Sequence, residues 1–487
     1  MAMKILGSED PKEVFIQASD ILTEAVKHTL GPKGLNTAVC TNSSGVYQII
    51  NDGKSIVQDL TSDDPTLAPA LELLKQSCFE TNRNAGDGTT STVLMTNKLL
   101  HTIYDYMNKN KINPVNMRND LIKIRDSLIQ EVDDCKRELT EDNYEDVATV
   151  ALGSREYAKM IADAFKFVGP DGNVAFIKED RKDVYLDCQE GVTLDKTEFK
   201  IIPMKEPREF YDCPIVLIYE KIDRFAEIID LLNKTVEFKG KKVLLLYNEM
   251  SWDASSNLYA NIGDARIDVI PIRMGGYGVA TRDVMEQLAE YTNCKLIDGI
   301  SVKLSTIKDY KEVFGKVNKT MVSEDKVIIC TDEKIKENKN YLLQLKNKSC
   351  IIRVGGINKI EQEETFRRIE DAVSSLGTAI KDGITIGGGL AYISAFESIR
   401  AEYYDAEYLD SVDEIIYRTI VYNISGIEDI PEDYLGLIPG RDATADWVDL
   451  DNNIFDSAMV IKEVIRNSFT LVAQIITTNK LIHEMIR

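Results

Sequence analysis

Apolar residues recur along this chain with two different periods, and the change from one to the other divides it. Val14, Ala18, Ile21, Leu22 and Ala25 repeat at helical spacing near the N-terminus. Asp10-Pro11-Lys12-Glu13 opens that helix with a cap, a first-turn proline and an acid, and Leu30-Gly31-Pro32 stops it. Residues 36–40 and 46–50 read as strands joined by Asn42-Ser43-Ser44-Gly45. Leu67, Leu71, Leu74 and Cys78 predict a helix over 66–83, and Val93, Leu94, Leu99, Leu100 and Ile103 begin another, with helices continuing to about 134. Short helices and a strand at 173–177 follow. From 191 the pattern alternates, with apolar runs of buried-strand type at 215–219, 242–247 and 267–272. A helix carrying Phe225, Ile228, Ile229 and Leu232 on one face lies between the first two. After 349 come a strand and a long charged helix, 361–381, which Asp382-Gly383 ends. Helical pattern then resumes from 388 to the end, broken by a loop near 430–451.

The expected fold class is therefore multidomain α with an α/β insert. A helical domain takes both chain ends (1–134 and 382–487), a small connector is crossed twice (135–190 and 349–381), and the α/β domain (191–348) lies within.

Between two of the helices stands Ala85-Gly86-Asp87-Gly88-Thr89-Thr90-Ser91-Thr92. Its glycines permit a sharp turn and a close ligand, and the three hydroxyl residues bring unpaired N–H groups to a helix N-terminus, a seat for phosphate. A carboxylate there repels phosphate unless a cation lies between, so Asp87 points to Mg²⁺. The same loop also reads as a helix cap with no ligand.

Composition narrows the rest. At 487 residues two or three domains are expected. A net charge of −22, from 80 acids against 58 bases, disfavours nucleic acid as a partner. No run of eighteen apolar residues occurs and the N-terminus lacks a signal-peptide core, so no membrane role and a cytoplasmic location are expected. Eight scattered cysteines, with no C-x-x-C pair, read as buried thiols in a reducing compartment rather than as a zinc site or disulfide frame. Three distant histidines argue against metal or triad chemistry.

Several segments, in this order, resemble the signatures of the group I (bacterial and organellar) chaperonins. They are Thr29-Leu30-Gly31-Pro32-Lys33-Gly34, Asn51-Asp52-Gly53, the Asp87 loop, Asn113-Pro114, Ile369-Glu370-Asp371-Ala372, Gly387-Gly388-Gly389 and Ile475-Ile476-Thr477-Thr478. The resemblance covers nearly the whole chain. It implies an equatorial ATPase domain, an intermediate hinge domain and an apical domain that holds unfolded protein, in the nested order above. It implies ATP and Mg²⁺ as cofactors. Thr29, Leu30, Gly31 and Pro32 match the nucleotide loop, and Asp87, Gly88, Thr89, Thr90 and Ser91 the phosphate and Mg²⁺ loop. Gly387 and Gly388 match a glycine pair against the nucleotide, and Asp456 the acid near ribose and adenine. Asp371 matches the carboxylate that swings over the γ-phosphate when the hinge closes, with Asp52 beside it. By themselves Asp52 reads as a turn residue and Asp371 as part of a solvated helix face. Ile229 and Leu232 align with polypeptide-binding positions, with Phe225 on their stripe and Tyr259, beside Trp252 and Leu258, as a neighbour; both stripes read equally as core.

The resemblance further implies a homo-oligomer, a seven-membered ring, with non-native polypeptides as substrates and a co-chaperonin lid as a partner. Departures mark a divergent, shortened member of the type a viral genome carries, which would place it in the host cytoplasm. Asn51 replaces a lysine whose carbonyl serves a monovalent cation such as K⁺, the segment 330–348 is short, Asn347-Lys348-Ser349 replaces a hinge glycine pair, and no Gly/Met-rich tail follows Arg487. Two other readings are a chaperonin-like scaffold or holdase without ATP-driven cycling, and an unrelated phosphotransferase.

Overall fold

The structure is a computed structural model. It describes residues 3–6, 10–31, 33–40, 47–50, 52–152, 154–169, 172–195, 199–200, 208–233, 242–263, 268–274, 279–307, 310–322, 326–331, 346–403, 406–426, 437–439, 447–449 and 454–484. The chain forms two compact units, one from 1–163, 178–185 and 354–487, the other from 164–177 and 186–353.

In chain order the first unit begins with β1 (Met3–Leu6), α1 (Pro11–Val26), the antiparallel hairpin β2 (Thr37–Cys40) and β3 (Tyr47–Ile50), and α2 (Gly53–Asp59). Three long helices follow: α3 (Leu67–Ala85), α4 (Thr89–Asn110) and α5 (Pro114–Cys135). Then come α6 (Tyr144–Leu152) and α7 (Arg155–Val168). The Asp10 carboxylate caps α1 by accepting the Lys12 N–H at 3.0 Å, as its sequence predicts. The buried face of α1 is Val14, Phe15, Ala18, Leu22 and Val26. That face is rotated from the expected one: Ile21 is 39% exposed and Phe15 replaces it in the core.

The second unit is a nine-stranded sheet with helices. Its elements are β4 (Asn173–Lys178), β5 (Tyr185–Asp195), β6 (Phe199–Lys200), β7 (Arg208–Ile218), α8 (Phe225–Asn233), β8 (Val243–Tyr247), α9 (Trp252–Gly263), β9 (Val269–Met274), α10 (Val279–Tyr291), β10 (Phe314–Val322), β11 (Lys326–Cys330) and β12 (Lys346–Val354). The strand order is β4-β12-β5-β11-β10-β7-β8-β9-β6, with β7, β8 and β9 parallel. Because side chains alternate across a strand, Leu244 and Leu246 pack with Met285 and Leu288 of α10, while Leu245 and Tyr247 pack with Ile228 of α8 and Leu258 of α9. Both faces are covered, which is why these strands read as continuous apolar runs.

β5 and β12 are neighbours in this sheet and bring Cys188 and Cys350 to a Cα separation of 4.0 Å, where they form a disulfide. The expectation of thiols throughout is corrected here. Spacing in sequence, 162 residues, gives no hint of a strand pairing that sets the two side by side. Cys78, Cys213 and Cys330 are buried thiols, as expected, whereas Cys135 is an exposed thiol and Cys294 a half-buried one.

The first unit resumes with α11 (Lys359–Asp382), β13 (Ile384–Ile386), α12 (Leu390–Ile399), α13 (Ile415–Ser425), the hairpin β14 (Leu437–Pro439) and β15 (Trp447–Asp449), β16 (Phe455–Ser457), α14 (Ala458–Ile475) and β17 (Leu481–Glu484). Its core joins both chain ends: Phe15 and Leu22 of α1, Leu71 of α3, Leu99 and Ile103 of α4, and Phe469 of α14 form one buried cluster. The C-terminal segment departs from the helical expectation. β17 pairs antiparallel with β1, Leu6 opposite Leu481, and β16 pairs with β13. Among the described residues no helix is long and apolar enough to cross a membrane.

Candidate functional site

The site lies in the first unit and is built around the turn from α3 to α4. α3 ends where Gly86, at φ 76°, donates its N–H to Asn82 O at 2.7 Å. Gly88 is the N-cap of α4 and has no side chain to cap with, so no side chain takes the first-turn N–H groups. They remain as donors at the positive end of a helix of 22 residues. Asp87 turns back so that its Oδ1 accepts the Gly88 N–H at 2.5 Å.

Asp52 reaches the same turn from the β3–α2 connection. Its carboxylate caps α2, accepting the Lys54 N–H at 2.9 Å, the Ser55 N–H at 3.0 Å and the Ser55 hydroxyl at 2.6 Å. The local turn role and a place in the site therefore coexist. The next residue has to be glycine, because a Cβ on Gly53 would lie 2.1 Å from Thr90 Oγ1. Thr29, at the end of the first helix, donates its hydroxyl to Val26 O at 2.8 Å, and its Oγ1 lies 3.5 Å from that of Thr90. Asn423 of α13 holds this loop by donating to Lys27 O and Leu30 O, each at 2.8 Å. Asp456 arrives on β16, opposite Thr385 of β13.

Thr29, Asp52, Asp87, Thr90 and Asp456 line one cavity of about 1410 Å³. Thr29, Leu30 and Gly31 form one wall, Asp52 and the run 87–91 another, and Asp371, Gly388 and Asp456 complete it. Gly387 stands behind the wall, donating its N–H to Ile454 O at 2.9 Å, and Gly389 takes the second lining place. Pro32 and Asn51 lie outside the described residues. Asp371, expected to arrive only when a hinge closes, already faces Asp87 and Asp52 across the cavity.

Arg155, Lys359, Arg367 and Arg368 also line this cavity, but the clustered carboxylates act on one another. Burial pushes the Asp371 carboxyl well above the usual range, and the charges of Asp87, Asp52 and Glu370 push the same way, against Lys54. Burial also raises Asp87, opposed by its Gly88 hydrogen bond and reinforced by Asp52. Asp456 rises to about 7, from burial and then Asp87. Among the described residues Asp52, Asp87, Asp371 and Asp456 have no ion-pair partner within 4.0 Å, and no group of three or more His, Cys, Asp or Glu forms a self-sufficient metal cage. The donor set is all oxygen and too small to hold a metal alone. That fits Mg²⁺, which takes one or two carboxylates and fills its remaining positions from phosphate and water.

Tyr392, in the first turn of α12, also lines the cavity; burial, then Asp456 and Asp87, raise its phenol well above the usual range. Sequence reasoning passed over Tyr392 and Asn423, although Tyr392 follows the glycine run by one helical turn.

The candidate polypeptide-binding residues lie in the second unit, on α8 and α9. Ile228 and Leu258 are fully buried, so those members of the expected stripes are core. Phe225 packs partly buried against the same cluster, and Ile229 is half-buried. Tyr259 is half-buried with its hydroxyl 3.3 Å from that of Tyr247, whereas Trp252 is 82% exposed. The Leu232 side chain lies outside the described residues.

Similarity to known proteins accords with this layout. The model of the TCP-1/cpn60 chaperonin family matches residues 22–419. Crystal structures of the chaperonin gp146 from the bacteriophage EL 2 (Pseudomonas aeruginosa), in presence of ATP-BeFx, share the fold. One crystal form superposes with a TM-score of 0.71 at 16% identity, covering 100% of both chains. The other gives 0.68 at 17%, covering 99% of each. A family match spanning most of the chain, on a fold shared from end to end, makes this protein a member of the TCP-1/cpn60 chaperonin family.

Proposed function

We propose that this chain is an ATP-driven chaperonin of the group I type, which takes up non-native polypeptides and assists their folding within a ring of its own copies. The observation that carries this reading is the convergence of Asp52, Asp87, Asp371 and the uncapped N-terminus of α4 on one cavity in a chain of this family. The gp146 crystals contained ATP-BeFx, which supports a nucleotide as the occupant.

In this reading the phosphates accept hydrogen bonds from the first-turn N–H groups and hydroxyls of Thr89, Thr90 and Ser91. Thr29, Leu30, Gly31 and Pro32 flank the nucleotide, Gly387 and Gly388 back it, and Asp456 serves ribose and adenine. Asp87 would hold Mg²⁺, with K⁺ on the Asn51 carbonyl. Bound Mg²⁺ supplies charge neutralisation on the phosphates. Asp52 has both oxygens committed to capping α2, so it orients rather than accepts a proton. Asp371 is the freer carboxylate and aligns the attacking water, its raised proton affinity suiting a general base. The residues 1–134 and 382–487 act as the equatorial domain, 135–190 and 349–381 as the hinge, and 191–348 as the apical domain. Ile229, Leu232, Phe225 and Tyr259 belong to the polypeptide-binding face. A seven-membered ring in the cytoplasm, of a host cell if the gene is viral, and a co-chaperonin lid complete the reading.

Steady-state hydrolysis and nucleotide affinity test it. Asp371→Ala should keep ATP affinity and lower turnover by about two orders of magnitude or more, whereas Asp87→Ala should lose Mg²⁺-dependent binding and turnover together. Single-particle images with and without ATP should show a ring whose distal domains move. A monomer of 54.8 kDa at micromolar concentration would overturn the ring. Capture of denatured protein without ATP-dependent release would identify a holdase instead.

A further inference from the structure

α11 meets the loops of the site along a single stripe. Glu370, Ser374 and Thr378 are spaced four apart and share one helix face. Glu370 Oε1 lies 4.0 Å from Lys54 Nζ at the start of α2. Ser374 abuts Gly86, and Thr378 Oγ1 lies 3.4 Å from Ala85 O. One position further round, Asp371 and Ser375 face the cavity. The contact stripe thus sets the rotation of α11 that turns Asp371 inward.

Of the three contacts, only the first is ionic, and only it joins α11 to α2. Its position is telling. Lys54 stands two residues after Asp52, and Glu370 immediately before Asp371. The two carboxylates that must address one water repel each other, while Lys54, two residues from one, and Glu370, next to the other, carry opposite charges and attract. Lys54 also opposes the burial and the acids that raise Asp371.

We propose that Lys54 and Glu370 form a clasp that closes α11 onto α2 and fixes the separation of Asp52 and Asp371, making them positioning residues for hydrolysis. The clasp rests on the reading of the cavity as an ATPase site. The two side chains are 36% and 38% exposed, and an ion pair so placed contributes little to global stability. Its loss should therefore appear in turnover and not in folding.

The test is a double-mutant cycle on the full-length chain: Lys54→Gln, Glu370→Gln and both together, with Asp371→Ala alongside. Each single variant should lower kcat about tenfold, within the range of couplings between residues in contact. KM for ATP and the melting temperature should stay near those of the parent. The double variant should be about as active as either single one, and Lys54→Arg should regain most of the rate. Additive losses in the double variant, or parental kcat in both single variants, would overturn the clasp while leaving the ATPase reading intact. A parent chain that hydrolyses no ATP would overturn that reading, and the clasp with it.

Discussion

Gly86 and Ser374 approach so closely that a Cβ on Gly86 would lie 2.2 Å from the Ser374 Cβ. The glycine closes α3 at φ 76°, and the serine sits one turn beyond Asp371 on α11. The turn from α3 to α4 and the helix carrying the proposed base are thus fitted to each other at a point where no side chain is admitted. Gly86→Ala should displace α11, and it adds the cost of a left-handed backbone, for a loss of about 1–3 kcal/mol. Turnover should fall further than ATP affinity. Ser374→Gly in the same chain relieves the contact but not the backbone strain, so it should restore part of the turnover and little of the melting temperature.

The clustered carboxylates of the cavity predict a pH dependence of stability without metal or nucleotide. Asp87, Asp371 and Asp456 all have raised pKa values, so the folded chain binds protons that the unfolded chain releases. Stability from these groups is full below the unfolded carboxylate value of about 4 and is lost as pH rises through the folded values. For Asp456 that window ends at about 7. Melting in a chelator should be lower at pH 8 than at pH 5.5. Asp456→Asn should flatten the slope by an amount on the order of 1–3 kcal/mol. Mg²⁺ with ATP should remove much of the remainder. A slope unchanged by Asp456→Asn would show that this carboxylate is not held neutral.

The Cys188–Cys350 disulfide spans 162 residues and so encloses nearly all of the second unit. Closing a loop of that length restricts the unfolded chain, worth about 5 kcal/mol in the chain-entropy model. Reduction, or Cys188→Ser, should lower the melting of this unit. The unit should still fold, because Arg353 of β12 pairs with Asp187 of β5 at 2.8 Å and with Glu209 of β7 at 2.6 Å. Thiol titration in denaturant should find two fewer thiols before reduction than after. Equal counts would mean the bond does not form.

Exposure separates two apolar residues of α9. Trp252 is 82% exposed and Leu258 fully buried. Trp252→Ser, combined with Ile229→Ser, should weaken capture of a denatured protein with little change in stability or ATPase activity. Leu258→Ser should instead cost about 3–5 kcal/mol through a cavity and a buried hydroxyl. Light scattering during dilution of a denatured substrate distinguishes the two. Unimpaired capture by the surface variant would place the binding face elsewhere.

The sequence alone determined what depends on near neighbours. Apolar spacing located α1, α3, α4 and α8 because a helix face is written every three to four residues. The runs at 215–219 and 242–247 became β7 and β8 because strands buried on both sides lose their alternation. Gly86 and Gly88 marked the turn from α3 to α4 because turn chemistry is local. Tertiary structure decided what depends on partners far along the chain. It paired β1 with β17, bonded Cys188 to Cys350, and buried Ile228 beside the half-exposed Ile229. It also gathered Asp52, Asp87, Asp371 and Asp456 around one cavity, where Lys54 meets Glu370. Periodicity tells a residue which face of its own element it occupies. What stands opposite is fixed only when the whole chain packs, because the energy of such contacts is shared across elements that the local sequence does not contain.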